Sequence, residues 1–379
     1  MNSRFAKWVI AAILLLSTVL FIQPVDAAAK EMKVHFIDVG QGDSIYIHTA
    51  AGENILIDAG NGKGTATINY LKKQKVRTIN YLISTHPDAD HMGGLNDIVN
   101  NFNVKTIYAP KVSHTTQVYK DFLTAVKKKK LTIKTARRGV KIPVKGVTAT
   151  FLAPVKDYGK TDLNNWSAVL KLTYGKKSFL FTGDAETKSE NDMIQSKQNL
   201  KADVLKVGHH GAKTSTNNAF LQKVKPSNAI ISVGKKNNYG HPTSTVLNNL
   251  KSNKVNVYRT DKQGTIIAVT NGSSLKFNVQ PSVKAVSATT PTYKLNASLD
   301  NAKPKQNGTV KLTVKGLPAG TKYKAVFHYK SKDTKYDGKV GTALPVKIGR
   351  AAKGFKVKID VTSTYKNKTY KASTSFTPK

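Results

Sequence analysis

The sequence predicts an α/β domain of two β-sheets with helices outside them, followed by a small all-β domain. Three observations favour this fold class. Strand-like and helix-like segments alternate over residues 32–279, which is typical of α/β architecture. Residues 280–292 are rich in Ser, Thr, Ala, Pro and Val without periodicity, and this composition indicates a linker. Apolar residues alternate with lysines over residues 293–379, and this period of two predicts half-buried strands.

The first half of the α/β domain begins with short β-branched runs separated by glycine-containing turns, which predict strands. The pattern then changes to helical spacing, with Ile68 and Leu71 three residues apart. The predicted elements, in order, are strands at 34–39, 44–48 and 55–57, a helix at 65–75, a strand at 79–84, a helix at 94–102, a strand at 106–109 and a lysine-rich helix at 116–130.

The second half contains a predicted hairpin, because apolar runs at residues 169–174 and 178–181 flank the turn Gly175-Lys176. The second run leads to Asp184. A further predicted strand, at residues 204–207, leads to two adjacent histidines. Metal-ligating residue types therefore follow predicted strands at two points in this half.

The C-terminal domain is predicted to be a small all-β sandwich, with an immunoglobulin-like fold as the candidate type. Its strands are expected at residues 311–315, 323–327 and 355–359. Its 20 lysines and arginines outnumber four aspartates, which gives a net charge of +16. Tethering to the cell wall or to another polyanion is one interpretation of this charge.

A second interpretation of the C-terminal domain is binding of single-stranded nucleic acid. Stacking on aromatic rings beside basic side chains is typical of such surfaces, although tyrosine is also an ordinary strand residue. The tyrosines interleaved with lysines are Tyr323, Tyr329, Tyr336, Tyr365 and Tyr370.

The N-terminus is predicted to be a secretory signal peptide over residues 1–27. Arg4 and Lys7 precede an apolar run at residues 9–22, which is too short to cross a bilayer comfortably. Small residues indicate cleavage after Ala27, and an uncleaved anchor is the alternative. We therefore expect a secreted, extracellular protein, in solution or associated with the cell wall, without a stable membrane span after cleavage.

Composition restricts the chemistry and suggests partners. The chain has no cysteine, which excludes cysteine nucleophiles and thiolate metal sites. Its formal net charge of +39 predicts attraction to polyanions. For a secreted protein the candidate partners are nucleic acid, anionic wall polymers such as teichoic acid, and anionic membranes. A surface charged for solubility alone is the alternative.

The most informative segment is His86-Pro87-Asp88-Ala89-Asp90-His91, which follows the predicted strand at residues 79–84. Four potential metal ligands fall within six residues at the end of a buried strand. Imidazole suits zinc, and carboxylates add hardness and neutralise charge. A solvated polar loop does not require such a concentration of ligands, so the segment predicts a metal site.

This segment resembles the HxHxDH signature of the metallo-β-lactamase superfamily, with Asp88 in place of the second histidine. The resulting HxDxDH variant is similar to the metallohydrolase domain of ComEC-type DNA-internalisation proteins. The resemblance covers residues 32–279 and implies a four-layer αβ/βα sandwich. Further stretches match in the family's order, at residues 35–44, 57–60, 164–167, 181–184, 205–211 and 239–242.

The resemblance implies two divalent metal ions, Zn²⁺ or Mn²⁺, as cofactors. Asp184 would bridge them, and Asp58 would orient a ligand histidine, with an ordinary turn residue as the alternative for Asp58. The implied ligands are His86, Asp88 and Asp184 for one ion and Asp90, His91, Asp184 and His209 for the other.

One ligand of the family is missing from the sequence. The family usually has a further histidine before Asp184, whereas no histidine lies between His114 and His209 here. Asn165 or Ser167 occupies the matching region and would face the metal directly or through water. This oxygen-rich donor set favours manganese or magnesium over zinc, but it does not determine which metal ion binds.

Three residues are predicted to act in catalysis: Asp90, His210 and His241. Adjacent residues on an extended segment point in opposite directions, so only one of His209 and His210 should ligate. We select His209 as the ligand and expect His210 to contact a phosphate or protonate a leaving group. His241 is the second candidate for that role, with packing on a loop as the alternative.

The function that the resemblance implies is attack by a metal-activated water on phosphorus or on a carbonyl carbon. The segment, the oxygen-rich site and the net charge favour a secreted phosphodiesterase or nuclease that acts on extracellular nucleic acid. The alternatives are a teichoic-acid or phosphocholine esterase at the cell wall, a lactam or lactone hydrolase, and a non-catalytic polyanion-binding module.

Overall fold

The computed structural model describes residues 30–285 and 293–379 of the chain. The chain forms two compact units, one ending at Val286 and the other beginning at Ser287. The predicted signal peptide, and residues 286–292 of the predicted linker, lie outside the described residues. Within the described ranges, no helix is both long and apolar enough to cross a membrane.

The described part of the first unit contains fifteen strands and eight α-helices. The strands are β1 (Met32–Phe36), β2 (Ile45–His48), β3 (Asn54–Ile57), β4 (Thr78–Ile83), β5 (Asn103–Ala109), β6 (Ile133–Thr135), β7 (Lys141–Ile142), β8 (Thr148–Phe151), β9 (Leu170–Tyr174), β10 (Lys177–Phe181), β11 (Val204–Lys206), β12 (Asn228–Ile231), β13 (Asn256–Arg259), β14 (Ile266–Thr270) and β15 (Leu275–Phe277). The helices are α1 (Thr65–Lys73), α2 (Ala89–Met92), α3 (Leu95–Asn101), α4 (Gln117–Lys128), α5 (Thr187–Gln195), α6 (Asn218–Val224), α7 (Ser244–Ser252) and α8 (Thr260–Gln263).

These strands form two mixed sheets. The first sheet has the strand order β15-β14-β1-β2-β3-β4-β5-β6, and its strands from β3 to β6 are parallel. The second sheet has the order β13-β12-β11-β10-β9-β8-β7, and its strands from β10 to β13 are parallel. The remaining neighbours in both sheets are antiparallel.

Three hydrophobic cores hold the layers of the first unit together. The central core lies between the two sheets, where the rings of Phe36 and Phe181 have centroids 6.2 Å apart. Helices α1, α3 and α4 cover the outer face of the first sheet, and α5, α6 and α7 cover that of the second. The predicted α/β fold class, with four layers in the order αβ/βα, is confirmed.

The topology brings the predicted metal ligands to one end of the molecule. Asp58 follows β3, His86 follows β4, Asp184 follows β10 and His210 follows β11. In each sheet these are neighbouring parallel strands, so their carboxyl ends lie at the same edge. Because the two sheets are packed face to face, the loops of both edges can meet.

The second unit is an all-β sandwich. Among residues 293–379 the strands are β16 (Asn296–Leu299), β17 (Thr309–Lys315), β18 (Lys322–His328), β19 (Asp333–Lys339), β20 (Leu344–Lys347), β21 (Val357–Tyr365) and β22 (Lys368–Phe376). One sheet has the order β16-β17-β20 and the other the order β19-β18-β21-β22. Constant-type immunoglobulin domains pair their fourth strand with the fifth, whereas β19 pairs here with the third strand, β18. Because every regular element among residues 293–379 is a strand, the predicted all-β domain is confirmed.

Along the strands of this second unit, buried apolar side chains alternate with exposed lysines. In β17, Val310, Leu312 and Val314 are buried, whereas Lys311 and Lys315 are exposed. Successive side chains of a strand point to opposite faces, so the lysines form the outer surface. The positive charge of the C-terminal domain is thus carried where solvent or a partner can reach it.

A glycine contact beside the metal-ligand segment provides a test of the packing. A Cβ added at Gly94 would overlap the backbone of Gly64 and lie 2.8 Å from Ala59 O. We expect Gly94→Ala to lower the free energy of unfolding by about 2–3 kcal/mol, because the backbone would have to move. Urea denaturation followed by tryptophan fluorescence measures this loss.

The matched control is Gly159→Ala, since a Cβ at Gly159 would meet no heavy atom within 4 Å. This variant should stay within about 0.5 kcal/mol of the parent protein. Equal stabilities of the two variants would contradict the close approach at Gly94.

Candidate metal centre

The metal-ligand segment lies where β4 leaves the first sheet. The strand ends at Ile83, and the short helix α2 begins at Ala89. Asp90 and His91 therefore lie on α2, whereas His86 precedes it. The rings of His86 and His91 have centroids 4.3 Å apart. The turn from strand to helix thus places two imidazoles side by side.

Side chains from three segments of the chain converge on one cluster, formed by Asp90, His91, Asp184 and His210. One ligand atom from each lies within 4.8 Å of all the others. His91 Nε2 is 3.1 Å from Asp184 Oδ1, and His210 Nε2 is 3.1 Å from Asp90 Oδ2. Ligands held about 2 Å from a tetrahedral ion lie about 3.3 Å apart. The spacing therefore suits a divalent metal ion.

The two central imidazoles are oriented for coordination. His91 Nδ1 lies 2.8 Å from Asp58 Oδ2, and His210 Nδ1 lies 2.9 Å from the carbonyl oxygen of Ser232. When Nδ1 donates a hydrogen bond in this way, the lone pair of Nε2 is available to a metal. In both residues Nε2 is the atom that faces the carboxylates of the cluster.

Buried polar atoms around the cluster that have no hydrogen-bond partner among the described residues include His86 Nε2, Asp184 Oδ1 and Asp43 Oδ1. An unsatisfied buried polar group costs about 1–3 kcal/mol, and a bound cation would remove that cost. Asp88 Oδ2 lies 3.4 Å from the same nitrogen of His86 and extends the donor set. The residues present therefore fit divalent metal.

Asp58 lies behind the cluster, against His91. Its carboxylate accepts hydrogen bonds from Thr85 N at 2.8 Å and from Thr85 Oγ1 at 2.6 Å, in addition to its contact with His91. The residue is fully buried. A carboxylate in this position fixes the orientation of a ligand imidazole and increases its basicity. The predicted orienting role of Asp58 is compatible with this position.

A buried ion pair that the sequence analysis did not identify lies beneath the cluster. Asp43 Oδ2 is 2.7 Å from Lys206 Nζ, and both side chains are almost completely buried. Asp43 Oδ1 lies 3.4 Å from His210 Nδ1. Burial raises the pKa of Asp43, but Lys206 and the nearby histidines outweigh burial and lower it. The sequence signal was a lysine within the apolar run at residues 204–207.

The structure changes the assignment of the two adjacent histidines: His210, rather than the selected His209, lies in the four-residue cluster. The segment is not extended, because His209 (φ 47°, ψ 47°) and His210 (φ 52°, ψ 19°) both have left-handed backbone conformations in a 3₁₀ turn. His209 lies at the edge, with Nε2 3.8 Å from Asp184 Oδ2 and Nδ1 3.1 Å from Glu186 Oε1. The turn therefore brings Nε2 of His210, rather than a nitrogen of His209, into the four-residue cluster.

Asn165 and Ser167, predicted to face the metal, use their polar groups elsewhere. Asn165 Oδ1 accepts a hydrogen bond from Ser189 N at 2.9 Å, and its amide nitrogen donates to Asp162. Ser167 Oγ accepts a hydrogen bond from Asp184 N at 3.0 Å. Asn165 thus anchors its loop to α5, while Ser167 fixes the backbone that carries Asp184.

The cluster lies in an open cleft of about 290 Å³. His241, predicted to act on substrate, lines this cleft. Burial, together with the nearby His209 and His210, lowers the pKa of His241. His114 and Tyr239 also line the cleft, although the sequence analysis selected neither as functional. Both lie in loops remote in sequence from the ligands, so only the fold brings them there.

In the cluster, positive charge on the histidines compensates the negative charge of the carboxylates. Burial lowers the pKa of His210, but the carboxylates of Asp184, Asp43 and Asp90 outweigh it and raise that pKa to about 9. The pKa of Asp184 lies well below its usual value, because His210 and His91 outweigh the opposite effect of burial. Protons on the histidines therefore balance the carboxylates, and a metal ion would compete with those protons.

Comparison with known proteins finds relatives of the first unit. The model of the metallo-beta-lactamase superfamily matches residues 37–235, which is more than half of the chain. ComE operon protein 3 of Bacillus subtilis is 34% identical over 65% of this chain and 34% of its own length. Competence protein ComA of Neisseria gonorrhoeae is 31% identical over 67% of this chain and 35% of its own.

A third relative is Recombination protein 2 of Haemophilus influenzae, which is 32% identical over 67% of this chain and 30% of its own length. The chain thus spans about a third of the length of the curated relatives it matches.

Metal titration tests the assignment of the two histidines. We expect His210→Ala to lower Zn²⁺ affinity by more than about 100-fold, which exceeds the usual effect of losing a residue outside the ligand sphere. His209→Ala should lower affinity by about tenfold or less. Isothermal titration calorimetry of chelator-stripped protein measures both, with His48→Ala in β2 as the control. An equal loss in the His209 variant would return the ligand role to that residue.

The raised pKa of His210 predicts a pH dependence of stability in the presence of chelator. A folded-state pKa of about 9, above the ordinary 6.5, means that the folded protein holds this proton more tightly. The stabilisation is complete below pH 6.5 and is lost as the pH rises through 9. Urea denaturation across this range should show a falling free energy of unfolding. The decrease in the free energy of unfolding should be smaller in His210→Gln. An equal decrease in the variant and the parent protein would contradict the charge pairing of His210.

Proposed function

The chain belongs to the metallo-β-lactamase superfamily, as its HxDxDH segment predicted, and on that premise we propose that it is a metal-dependent phosphodiesterase that cleaves nucleic acid. Members of the superfamily are generally metal-dependent hydrolases. The observation that carries the proposal is the oxygen-rich donor set, in which three carboxylates accompany three imidazoles at an open cleft. Two-metal sites with such donors suit the in-line displacement of a phosphodiester.

We assign the donor residues to two ions, Zn²⁺ or Mn²⁺. When bound, the ions would supply an activated water and would stabilise charge that develops on the phosphate. Asp184 would be shared by the two ions, as the resemblance implies, and its two carboxylate oxygens lie 3.1 Å from His91 Nε2 and 3.4 Å from His210 Nε2. The proposed ligands are His86, Asp88 and Asp184 for one ion and Asp90, His91, Asp184 and His210 for the other.

The protein residues beyond the ligands hold the substrate and the ligands in place. His241 lines the cleft, and its lowered pKa favours the neutral imidazole at neutral pH. A neutral imidazole is suited to donating a hydrogen bond to a phosphate oxygen, and it is a poor proton donor to a leaving group. Asp58 and the carbonyl oxygen of Ser232 fix the two histidines of the cluster from behind.

A nucleic acid substrate is supported by charge and by the relatives. The net charge of +39 attracts polyanions, and the C-terminal unit alone carries +16. The names of two relatives refer to competence and to recombination, which are processes that involve DNA. We propose an extracellular setting for the reaction, because Arg4, Lys7 and the following apolar run form a signal-peptide pattern.

Hydrolysis assays test this function. Chelator-stripped protein should cleave DNA or RNA after addition of Mn²⁺ or Zn²⁺, and Asp184→Ala should reduce cleavage to background. Because several lysine–phosphate contacts are lost together as salt increases, substrate affinity should fall steeply between low and physiological ionic strength. Single- and double-stranded DNA, RNA and bis-p-nitrophenyl phosphate are compared by initial rates.

The matched control is Asp121→Ala, which removes an exposed carboxylate from α4, away from the cleft. Its rate should equal that of the parent protein. Cleavage of the small diester without cleavage of nucleic acid would indicate that the substrate is a wall polymer. Metal-loaded protein that cleaves no phosphate ester would refute the proposed function.

A further inference from the structure

Tyr239 is a large aromatic residue that the fold leaves in solvent beside the metal-ligand cluster. Its exposure of 69% is the highest of any large apolar side chain in the described residues. It lines the same cleft as Asp90, Asp184 and His210. An exposed aromatic ring has no packing role to explain it, and aromatic residues exposed at binding sites commonly contact ligands.

The loop that presents Tyr239 is held by a network of hydrogen bonds. The side chain of Asn237 accepts from Tyr239 N at 3.2 Å and from His241 N at 3.0 Å. The same side chain donates to the carbonyl oxygens of Gly234 and His241. Gly234 N in turn donates to Gln41 Oε1 at 3.1 Å. The exposed position of the ring is therefore fixed by the backbone and is not that of an unstructured loop.

Three successive contacts connect Tyr239 to the cluster. The rings of Tyr239 and His241 are nearly parallel, with centroids 5.7 Å apart and an interplanar angle of 24°. His241 meets His209 edge to face at 5.6 Å. His209 Nε2 lies 3.8 Å from Asp184 Oδ2. A series of ring contacts thus begins at Tyr239 and leads toward the position where a scissile phosphate would bind.

The chemistry of this surface suits one class of ligand. Bases of single-stranded nucleic acid stack on aromatic side chains, while basic residues nearby attract the phosphates. Lys235 and Lys236 are exposed on the same loop as Tyr239. A paired duplex keeps its base faces covered by stacking, so a lone exposed ring can be used only by an unpaired base.

We propose that Tyr239 stacks against an unpaired base next to the scissile phosphate, so that the protein selects single-stranded nucleic acid. This inference rests on the proposed function, since it places the base beside the reacting diester. His241 supports the ring from behind, and Lys235 and Lys236 draw the strand to the loop without distinguishing bases.

The first test compares an oligothymidylate with an abasic strand of equal length as substrates for the full chain. The parent protein should prefer the strand with bases by about tenfold in kcat/KM. In Tyr239→Ala this ratio should fall to about one, chiefly through KM for the oligothymidylate, whereas Tyr239→Phe should retain the ratio. Lys236→Gln should weaken binding of both strands alike, because it removes charge and not a stacking surface.

The second test needs no turnover. Binding of a strand that contains 2-aminopurine, in the presence of chelator, should quench the fluorescence of this base in the parent protein and in Tyr239→Phe. The quenching should be lost in Tyr239→Ala at protein concentrations where fluorescence anisotropy shows that the strand is bound.

The outcomes separate this inference from the function on which it rests. Tyr239-dependent quenching without cleavage of any phosphodiester would leave the stacking site and reject the proposed function. Metal-dependent cleavage with an unchanged base preference in Tyr239→Ala would support the proposed function and reject the stacking site. The stacking proposal is overturned if Tyr239→Ala lowers kcat/KM equally for both strands. It is also overturned if the parent protein binds neither strand.

Discussion

The structure of the site depends on charge compensation within a small, largely buried volume. Asp43, Asp58 and Asp184 are buried together near the cleft. A buried charge without a partner costs several kcal/mol, so such carboxylates persist only beside compensating groups. His91 and His210 lie between them and contact carboxylates through both ring nitrogens. The positions of the loops after β3, β4, β10 and β11 follow from this requirement.

Lys206 shows how far the compensation extends. A fully buried lysine is rare unless it is paired, and here it pairs with Asp43 below the histidines. Its ammonium group also donates to the carbonyl oxygen of Val207 at 2.8 Å. The Lys206 ammonium group thus compensates Asp43 from a position outside the four-residue cluster. Lys206 and the nearby histidines outweigh the effect of burial, so the pKa of Asp43 lies below its usual value.

The layered fold could be predicted because each of its features is local in sequence. Alternating strand and helix patterns predicted the α/β unit, and alternating lysines predicted the β-sandwich. The metal-ligand segment was also local, since its residues lie within one turn after one strand. Predicted elements differ from observed ones mainly at their ends, as in the strand expected at residues 355–359, which begins at Val357 and continues to Tyr365.

The remaining features depended on contacts that a single sequence does not encode locally. The position of His210 in the cluster, with His209 at its edge, depends on left-handed backbone conformations, which the extended pattern around them did not indicate. The pairing of Asp43 with Lys206 joins residues far apart in the chain. The exposure of Tyr239 required the loop bonds of Asn237. The amide oxygen of Asn165 accepts a hydrogen bond from α5, a contact that no local pattern indicated.

The origin of the cluster in both sheets has a consequence for the stability of the first unit. Asp90 and His91 follow a strand of the first sheet, whereas Asp184 and His210 follow strands of the second. An ion held by all four would act as a cross-link between the two halves of the unit. The chain has no cysteine and so no disulfide to serve that purpose. The concentration of available metal would then determine both resistance to proteolysis and turnover, so loss of the metal would lower both.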